Sequence, residues 1–374
     1  MKSEPFKKFA ARWLESSKAT SQNLNSLVKR LPHWLEGNAP HADIVISTRV
    51  RLARNLTEHS FPNAADREEF EEVMQEVYRV IAPSQLLGQP MFLDMQKLSK
   101  LDRKFLVERR LISPPYAEST KPAMLVVGEA EYLSVMVNEE DHLRIQSIQP
   151  GLNVEEAWRL IAQLDDELGE ELNYAFTDQF GYLTACPTNT GTGMRVSLFV
   201  HLPALAMLEE VEKVLSKLAP SEITVRGFYG EGTEVVGNIF QISNQLTLGR
   251  TDDSIVKRME EVAQKLLSLE SDARERLLSS QRLRVEDKVF RTIGILQQAR
   301  MLSSLEFLSL LSSLRLGMDA GILEDQRGLL NELMVVLQPA HLQKTYRDAQ
   351  DDERRDVRRA QLVREKMTQL FKNL

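Results

Sequence analysis

The chain has 374 residues, of which 27% are charged and 43% hydrophobic, with 47 basic against 54 acidic side chains and a net charge of −7. That length predicts two or three domains with a large core, and the acidic balance speaks against a nucleic-acid partner. The single cysteine, Cys186, excludes an internal disulfide framework and a cysteine-rich metal site, and fits a reducing, cytoplasmic compartment.

Residues 1–42 are polar with apolar residues at helical spacing: Phe9, Trp13 and Leu14, then Leu24, Leu27, Val28 and Leu31. The pattern predicts one or two short helices ending at Pro32, an extension packed on the main domain. The opening MKSEPFKKFAARWLESS lacks a continuous apolar stretch and predicts no secretory signal. DIVISTRVRL (43–52) alternates, with Ile44, Ile46, Val50 and Leu52 on one face and Arg49 and Arg51 on the other. Phe70, Val73, Met74, Val77 and Ile81 predict a helix over 66–81. Two strands joined by GEAE are expected at 124–127 and 132–137, and HLRIQSI (142–148) alternates again. Asn153 with Glu156 reads as a capping box, followed by the stripe Trp158, Ile161, Leu164 and Leu168. RVSLFVHL (195–202) alternates strictly, and more strands are expected at 222–227 and 235–242. From 252 the texture becomes helical: Asp252 and Asp253 cap a helix over 254–280, with further helices over 286–300, 304–316, 325–337 and 351–371. No apolar run approaches the ~18 residues of a membrane span, so no membrane partner is expected. The fold class is α+β, a mostly antiparallel sheet flanked by helices, followed by an all-α C-terminal domain.

The six histidines show no HExxH or HxxxH spacing, and neither GxxxxGK[ST] nor the HRD and DFG signatures occur. Arginines on the polar faces of strands remain: Arg49, Arg51, Arg144, Arg195 and Arg226. If these strands share one sheet, the guanidinium groups converge. A convergent set repels itself unless it holds a polyanion, and the planar guanidinium fork suits phosphate oxygens. The same residues are also compatible with a merely charged sheet face.

Carboxylates accompany the arginines. In VNEEDHLRI (137–145), strand parity places Glu140 beside Arg144 and turns Glu139 away. In RGFYGEGTE (226–234), Glu231 sits on a glycine-flanked loop, and CPTNTGTGMR (186–195) is a loop running into the Arg195 strand. Two carboxylates beside bound phosphates suit a cationic, planar phosphoryl acceptor.

Together, STRVRLARN (47–55), NEEDHLRIQSI (138–148), CPTNTGTGMRVS (186–197) and RGFYGEGTE (226–234) resemble, in order and spacing, the phosphagen (guanidino) kinase family over residues 43 to 250. Three features resemble the branch acting on arginine within proteins: only 46 residues precede STRVR, Tyr229 stands where small-guanidine kinases carry another arginine, and a helical segment follows containing RDVRRA (355–360), an RDxxRA motif. The resemblance implies three segments: an extension over 1–42, a catalytic domain over 43–251 and a helical domain over 252–374. It implies transfer of the γ-phosphoryl group of ATP, with Mg²⁺, to protein arginine. Free arginine as acceptor, and a non-catalytic reader of phosphoarginine, are the alternatives. ATP contacts are implied for Ser47, Thr48, Arg49, Val50, Arg51, Arg144, Arg195 and Arg226, with Arg110 (where relatives carry His) and Phe199 at the base. Glu140 and Glu231 would clamp the acceptor guanidinium and catalyse transfer, with Cys186 lining its pocket. Arg355, Asp356 and Arg359 would hold phosphoarginine away from the active site; helical spacing puts Arg355, Arg358 and Arg359 on one face with Asp356 at its edge. An activator protein and a Clp-type protease system are implied partners. The apolar stripes of the helical domain predict a homodimer.

Overall fold

The computed structural model describes residues 20–218, 222–227 and 235–371. Phe9, Trp13 and Leu14 lie outside the described residues. The helix α1 (Thr20–Lys29) is present, with Leu24 and Leu27 fully buried, while Leu31 stays exposed.

Strands β1 (Val45–Arg54), β2 (Met91–Asp94), β3 (Met124–Val127), β4 (Leu133–Val137), β5 (Leu143–Pro150), β8 (Met194–His201), β9 (Ile223–Arg226) and β10 (Ile239–Asn244) form one sheet in the order β2-β3-β4-β5-β1-β8-β10-β9. Every pairing in it is antiparallel. A small hairpin, β6 (Phe176–Thr177) with β7 (Gly181–Tyr182), stands apart. The edge strand β2 and the hairpin are too short to leave a periodic signal in the sequence.

One face of the sheet carries the main core. Val50, Leu52, Ile145, Val196, Leu198 and Ile242 are all fully buried there. Helices α2 (Arg67–Ile81) and α5 (Val154–Gly169) contribute their apolar stripes to the same core. The Asp66 side chain and Glu69 close a capping box at the start of α2. The box expected at Asn153 does not form. Asn153 has no side-chain cap bond; its Nδ2 donates to the Pro150 carbonyl at 2.6 Å, and its own N–H is taken by the Thr48 hydroxyl.

Among the described residues, the opposite face is covered only over its β2–β5 half. There Leu93, Leu125, Val127 and Met136 pack under α1, α3 (Lys100–Glu108) and α4 (Pro114–Glu118). Over β1, β8, β10 and β9 that face opens to a cleft. Two short helices, α6 (Pro203–Met207) and α7 (Val211–Leu218), follow β8 and add Leu205 and Leu218 to the main core.

The helical region begins with α8 (Asp252–Gln298), capped by Thr251 and Ser254 in a capping box; Asp252 and Asp253 fall in its first turn instead. A break at Gln281 (φ −138°, ψ 30°) divides it near the gap expected between two helices. Then come α9 (Ser304–Asp319), α10 (Arg327–Val336), α11 (Pro339–Thr345) and α12 (Asp352–Leu370). Pro339 begins α11, where its missing N–H costs nothing. The main core runs without interruption from the sheet into these helices, through Met259, Leu266, Leu308 and Leu330. No helix among the described residues is long and apolar enough to cross a membrane.

Candidate active site

Antiparallel register carries the arginines to one place. Residues directly opposite in a pair project to the same face. Arg51 faces Arg195, Ala53 faces Arg144, and Gln241 faces both Phe199 and Arg226. Arg49, two residues from Arg51, shares their side. The arginines therefore converge on the uncovered face and line a cleft of about 1170 Å³ with Arg110, Glu139, Glu140, Cys186 and Asn189.

The electrostatics record the crowding. Burial, then the guanidinium groups of Arg110, Arg144, Arg195 and Arg226, pushes the pKa of Arg49 down to about 9. Burial, with Arg49, Arg144 and Arg195, also lowers Arg51. A bound polyanion would relieve the mutual repulsion of these groups, though not the cost of burying them. Gln241 Oε1 accepts from Arg49 at 3.2 Å.

Two of the residues expected at the nucleotide put their side chains elsewhere. Val50 is packed in the main core, and the Thr48 hydroxyl donates to the Gly151 carbonyl at 2.7 Å on the far side of the strand. A period of two sends them opposite to the arginines. Ser47 is on the arginine side but buried.

The carboxylates reverse the expected parity. Asn138–His142 is the loop closing the β4–β5 hairpin, not strand, and Asn138 has a left-handed φ of 63°. Alternation stops there. Glu139, not Glu140, pairs with Arg144, at 2.8 and 2.9 Å to its two oxygens. The Glu139 carboxylate also accepts from the Ser113 hydroxyl and, at 3.0 Å, from the Glu140 N–H. Burial would raise the Glu139 carboxyl, but Arg144, Ser113 and that N–H outweigh it and hold it below its usual value. Glu140 is left exposed at the cleft. Its neighbour Asp141 ties the loop down, accepting from Asn55 Nδ2 at 2.7 Å and the Ala185 N–H at 2.6 Å. His142 Nδ1 accepts the Leu56 N–H at 3.0 Å, so Nε2 donates to the Ser60 carbonyl, and burial pushes its pKa down to about 4.

Asp141 thereby locks the hairpin loop to the segment holding Cys186. The Cys186 Sγ lies 3.1 Å from the Thr188 hydroxyl, and Asn189 Nδ2 reaches Glu140 at 3.4 Å. Gly193 makes the turn into β8: its φ is +66°, and a Cβ there would sit 2.5 Å from the Ala53 carbonyl. Glu231 and Tyr229 lie outside the described residues.

At the other end of the cleft, Arg109 and Glu131 form a buried pair, Nε to Oε2 at 3.0 Å, that fixes the end of α3. Arg110 follows with φ 63° and lays its guanidinium 3.9 Å over the centre of the Phe199 ring, with Trp34 at 5.6 Å. Phe199 is thus covered, and the half-buried Arg110 is the outer member of the stack. Sequence parity turns Glu139 away from Arg144, and Asn189 and Gln241 are not singled out by the sequence. Only the nearness of Asn189 to Cys186 and alternation along β10 carry any signal for these two.

RDVRRA lies on α12, away from the cleft. The expected single face splits. Arg359 is buried, donating to the carbonyls of Leu337 at 2.8 Å and Leu302 at 2.6 Å, and pairs with Asp356. It satisfies backbone groups at helix ends, so it braces the helical region rather than facing solvent. Arg355 pairs with Asp352, and Arg358 lies over the Tyr346 ring at 4.8 Å.

Comparison with known proteins agrees with this geometry. Residues 70–273 match the ATP:guanido phosphotransferase C-terminal catalytic domain, and residues 264–373 match the Protein-arginine kinase McsB C-terminal domain. The chain is 44% identical over 342 residues to a protein-arginine kinase of Halothermothrix orenii, covering 91% of this chain and 97% of the relative. It is 47% identical over 343 residues to that of Moorella thermoacetica, covering 90% and 98%. Among solved structures it resembles the duplicated taurocyamine kinase of Schistosoma mansoni, with bound transition state analog components. The TM-score is 0.58 at 25% identity, covering 66% of this chain and 35% of that one. A lombricine kinase shares the fold, with a TM-score of 0.56 at 23% identity, covering 61% and 66%. The chain belongs to the ATP:guanido phosphotransferase family and, within it, to the protein-arginine kinases.

Proposed function

We propose that Arg49, Arg51, Arg144, Arg195 and Arg226 hold the triphosphate of ATP, while Glu140 and Glu231 align the guanidinium of an arginine in an acceptor protein. The observation that carries this reading is the convergence of arginines from four strands on one open sheet face. A guanidinium nitrogen attacks the γ-phosphorus, the bond from that phosphorus to the ADP oxygen breaks, and the nitrogen's proton passes to a glutamate carboxylate. Phosphoryl transfer asks mainly for alignment and charge neutralisation, which fixed guanidinium groups supply without reorganising. Arginine, which stays protonated far above neutral pH, is a poor nucleophile until it loses that proton.

Mg²⁺ prefers phosphate oxygens, water and one or two carboxylates. Glu139 is taken up by Arg144, the Ser113 hydroxyl and the Glu140 N–H, and no group of three or more metal-binding side chains forms among the described residues, so the triphosphate and water would supply most of the ion's ligands. When bound, the ion offsets charge on the triphosphate. Arg110, which lies over Phe199, would meet the base in this reading. Ser47, Thr48 and Val50 act by fixing β1.

Cys186 lines the acceptor pocket in this reading. Cys186→Ser should lower turnover only a few-fold, about 2–10-fold, since a hydroxyl keeps the contact but not the polarisable bulk. Thiol alkylation should inhibit more strongly by filling the pocket. Alkylated enzyme working at the full rate on a protein acceptor would remove Cys186 from it.

RDVRRA is read as a phosphoarginine site, with Arg355 toward the phosphoryl group and Asp356 toward the guanidinium; Arg359 supports it from beneath. Arg355→Ala with Asp356→Ala should weaken phosphoarginine binding at least about tenfold, the loss of a charge-assisted pair. Calorimetric titration of wild type and double variant reads this directly, and equal affinities would reject the site.

The division near residue 252 separates a catalytic from a helical domain. Leu283, Phe290, Met301 and Leu305 are exposed apolar side chains in the helical region and support its use in a homodimer. An activator protein, a Clp-type protease system and a cytoplasmic location belong to the same reading. The acceptor assignment is tested by radiolabel transfer from γ-labelled ATP to an arginine-rich protein and to free arginine. Label on the protein supports it, and label confined to the free amino acid contradicts it.

A further inference from the structure

We propose that the rim beside the Cys186 loop is a docking surface for apolar residues flanking the target arginine in the acceptor chain. The inference rests on the reading of the acceptor as a protein.

Two pairs of large apolar side chains stand exposed there. Phe176 (54% exposed) and Phe180 (44%) belong to the β6–β7 hairpin, while Leu246 (43%) and Leu248 (53%) follow β10. Both pairs are built against the same point, Gly191, at the end of the loop that begins with Cys186. On the hairpin side, the Tyr182 N–H donates to the Gly191 carbonyl at 2.8 Å, and a Cβ on Gly181 would lie 2.5 Å from that carbonyl. On the other side, a Cβ on Gly191 would lie 2.4 Å from the Thr247 carbonyl and 2.7 Å from the Leu248 Cα. The Thr247 hydroxyl donates to the carbonyls of Thr188 and Thr190. Thr188, with Cys186 and Gln245, lines the cleft itself. The two apolar pairs are therefore braced by backbone contacts rather than loosely displayed.

What covers them follows from their place. An acceptor arginine entering the cleft past Cys186 brings its own main chain to the mouth. An extended chain advances about 3.3 Å per residue, so residues one to three positions away lie within roughly 10 Å of the arginine Cα. Their side chains reach the rim while the guanidinium reaches Glu140. Apolar flanks bury surface against Phe176, Phe180, Leu246 and Leu248, whereas free arginine has no flank to offer. The rim thus contributes to the recognition of chain-borne arginine without touching the reacting atoms.

The test is kcat/KM for three acceptors: a peptide with Leu and Phe around its single arginine, the same peptide with Ser and Gly there, and free arginine. The wild type should favour the apolar peptide over the polar one by about tenfold, the effect of partly burying two such side chains. The double variants F176S/F180S and L246S/L248S should each reduce that preference, while kcat/KM on the polar peptide stays within about twofold. Equal use of both peptides by the wild type overturns the inference and needs no variant to fold. A preference that survives both double variants also overturns it. If the variants change the sedimentation coefficient and slow all acceptors alike, the rim is a contact between copies and the inference fails. Label on free arginine alone, with neither peptide used, would instead reject the protein-acceptor reading itself.

Discussion

Replacing Glu140 with glutamine is expected to lower kcat by about 10²–10⁴-fold, the range of general acid–base catalysis. ATP affinity should change little, because Glu140 stands exposed on the cleft wall while Glu139 takes the bidentate pair with Arg144. Glu140 instead accepts from Asn189 on the Cys186 loop, the side where we propose that the acceptor enters. Single-turnover transfer and equilibrium nucleotide binding, measured on one preparation, separate the two quantities. Normal turnover in the variant would remove Glu140 from the reaction.

Glu139→Gln is expected to be nearly as damaging, for a different reason. The Glu139 carboxylate holds Arg144 through both oxygens and also takes the Ser113 hydroxyl and the Glu140 N–H. It joins Arg144, the start of α4 and the Glu140 backbone. An amide keeps the shape but loses the charge, so Arg144 and the Glu140 backbone are released together. Displacement of a reacting group by about 1 Å can cost on the order of 10²-fold. Turnover should therefore fall by about that factor and, unlike Glu140→Gln, the KM for ATP should rise. A Glu139→Gln enzyme with unchanged KM for ATP and near-normal kcat would show that this carboxylate positions nothing.

The contrast between these two glutamates marks where the sequence is legible. Along β1, β5, β8 and β9 a period of two is enforced by the buried opposite face, so alternation alone assigns Arg49, Arg51, Arg144, Arg195 and Arg226 to one side. At Asn138 the backbone turns left-handed, and alternation carries no information across 138–142. Parity therefore puts the wrong glutamate beside Arg144. The motif groups Thr48 and Val50 with the arginines, although the same period of two sends their side chains away. Arg359 misleads for a third reason. Helical spacing places it near Arg355, but spacing is blind to the bare carbonyls of Leu302 and Leu337 that draw it inward. The long helical stretches after residue 252 are legible because their stripes extend over several turns. The short β2 and the β6–β7 hairpin are not, being too brief to show a period.

The most direct test of the central claim is mass spectrometry of an arginine-rich protein incubated with MgATP and this enzyme, handled under non-acidic conditions that spare the P–N bond. Phosphoryl groups on arginine side chains, formed by the wild type and nearly absent with Glu140→Gln, are the predicted result. Phosphorylation confined to serine, threonine or tyrosine, or arginine phosphorylation undiminished in Glu140→Gln, would contradict it.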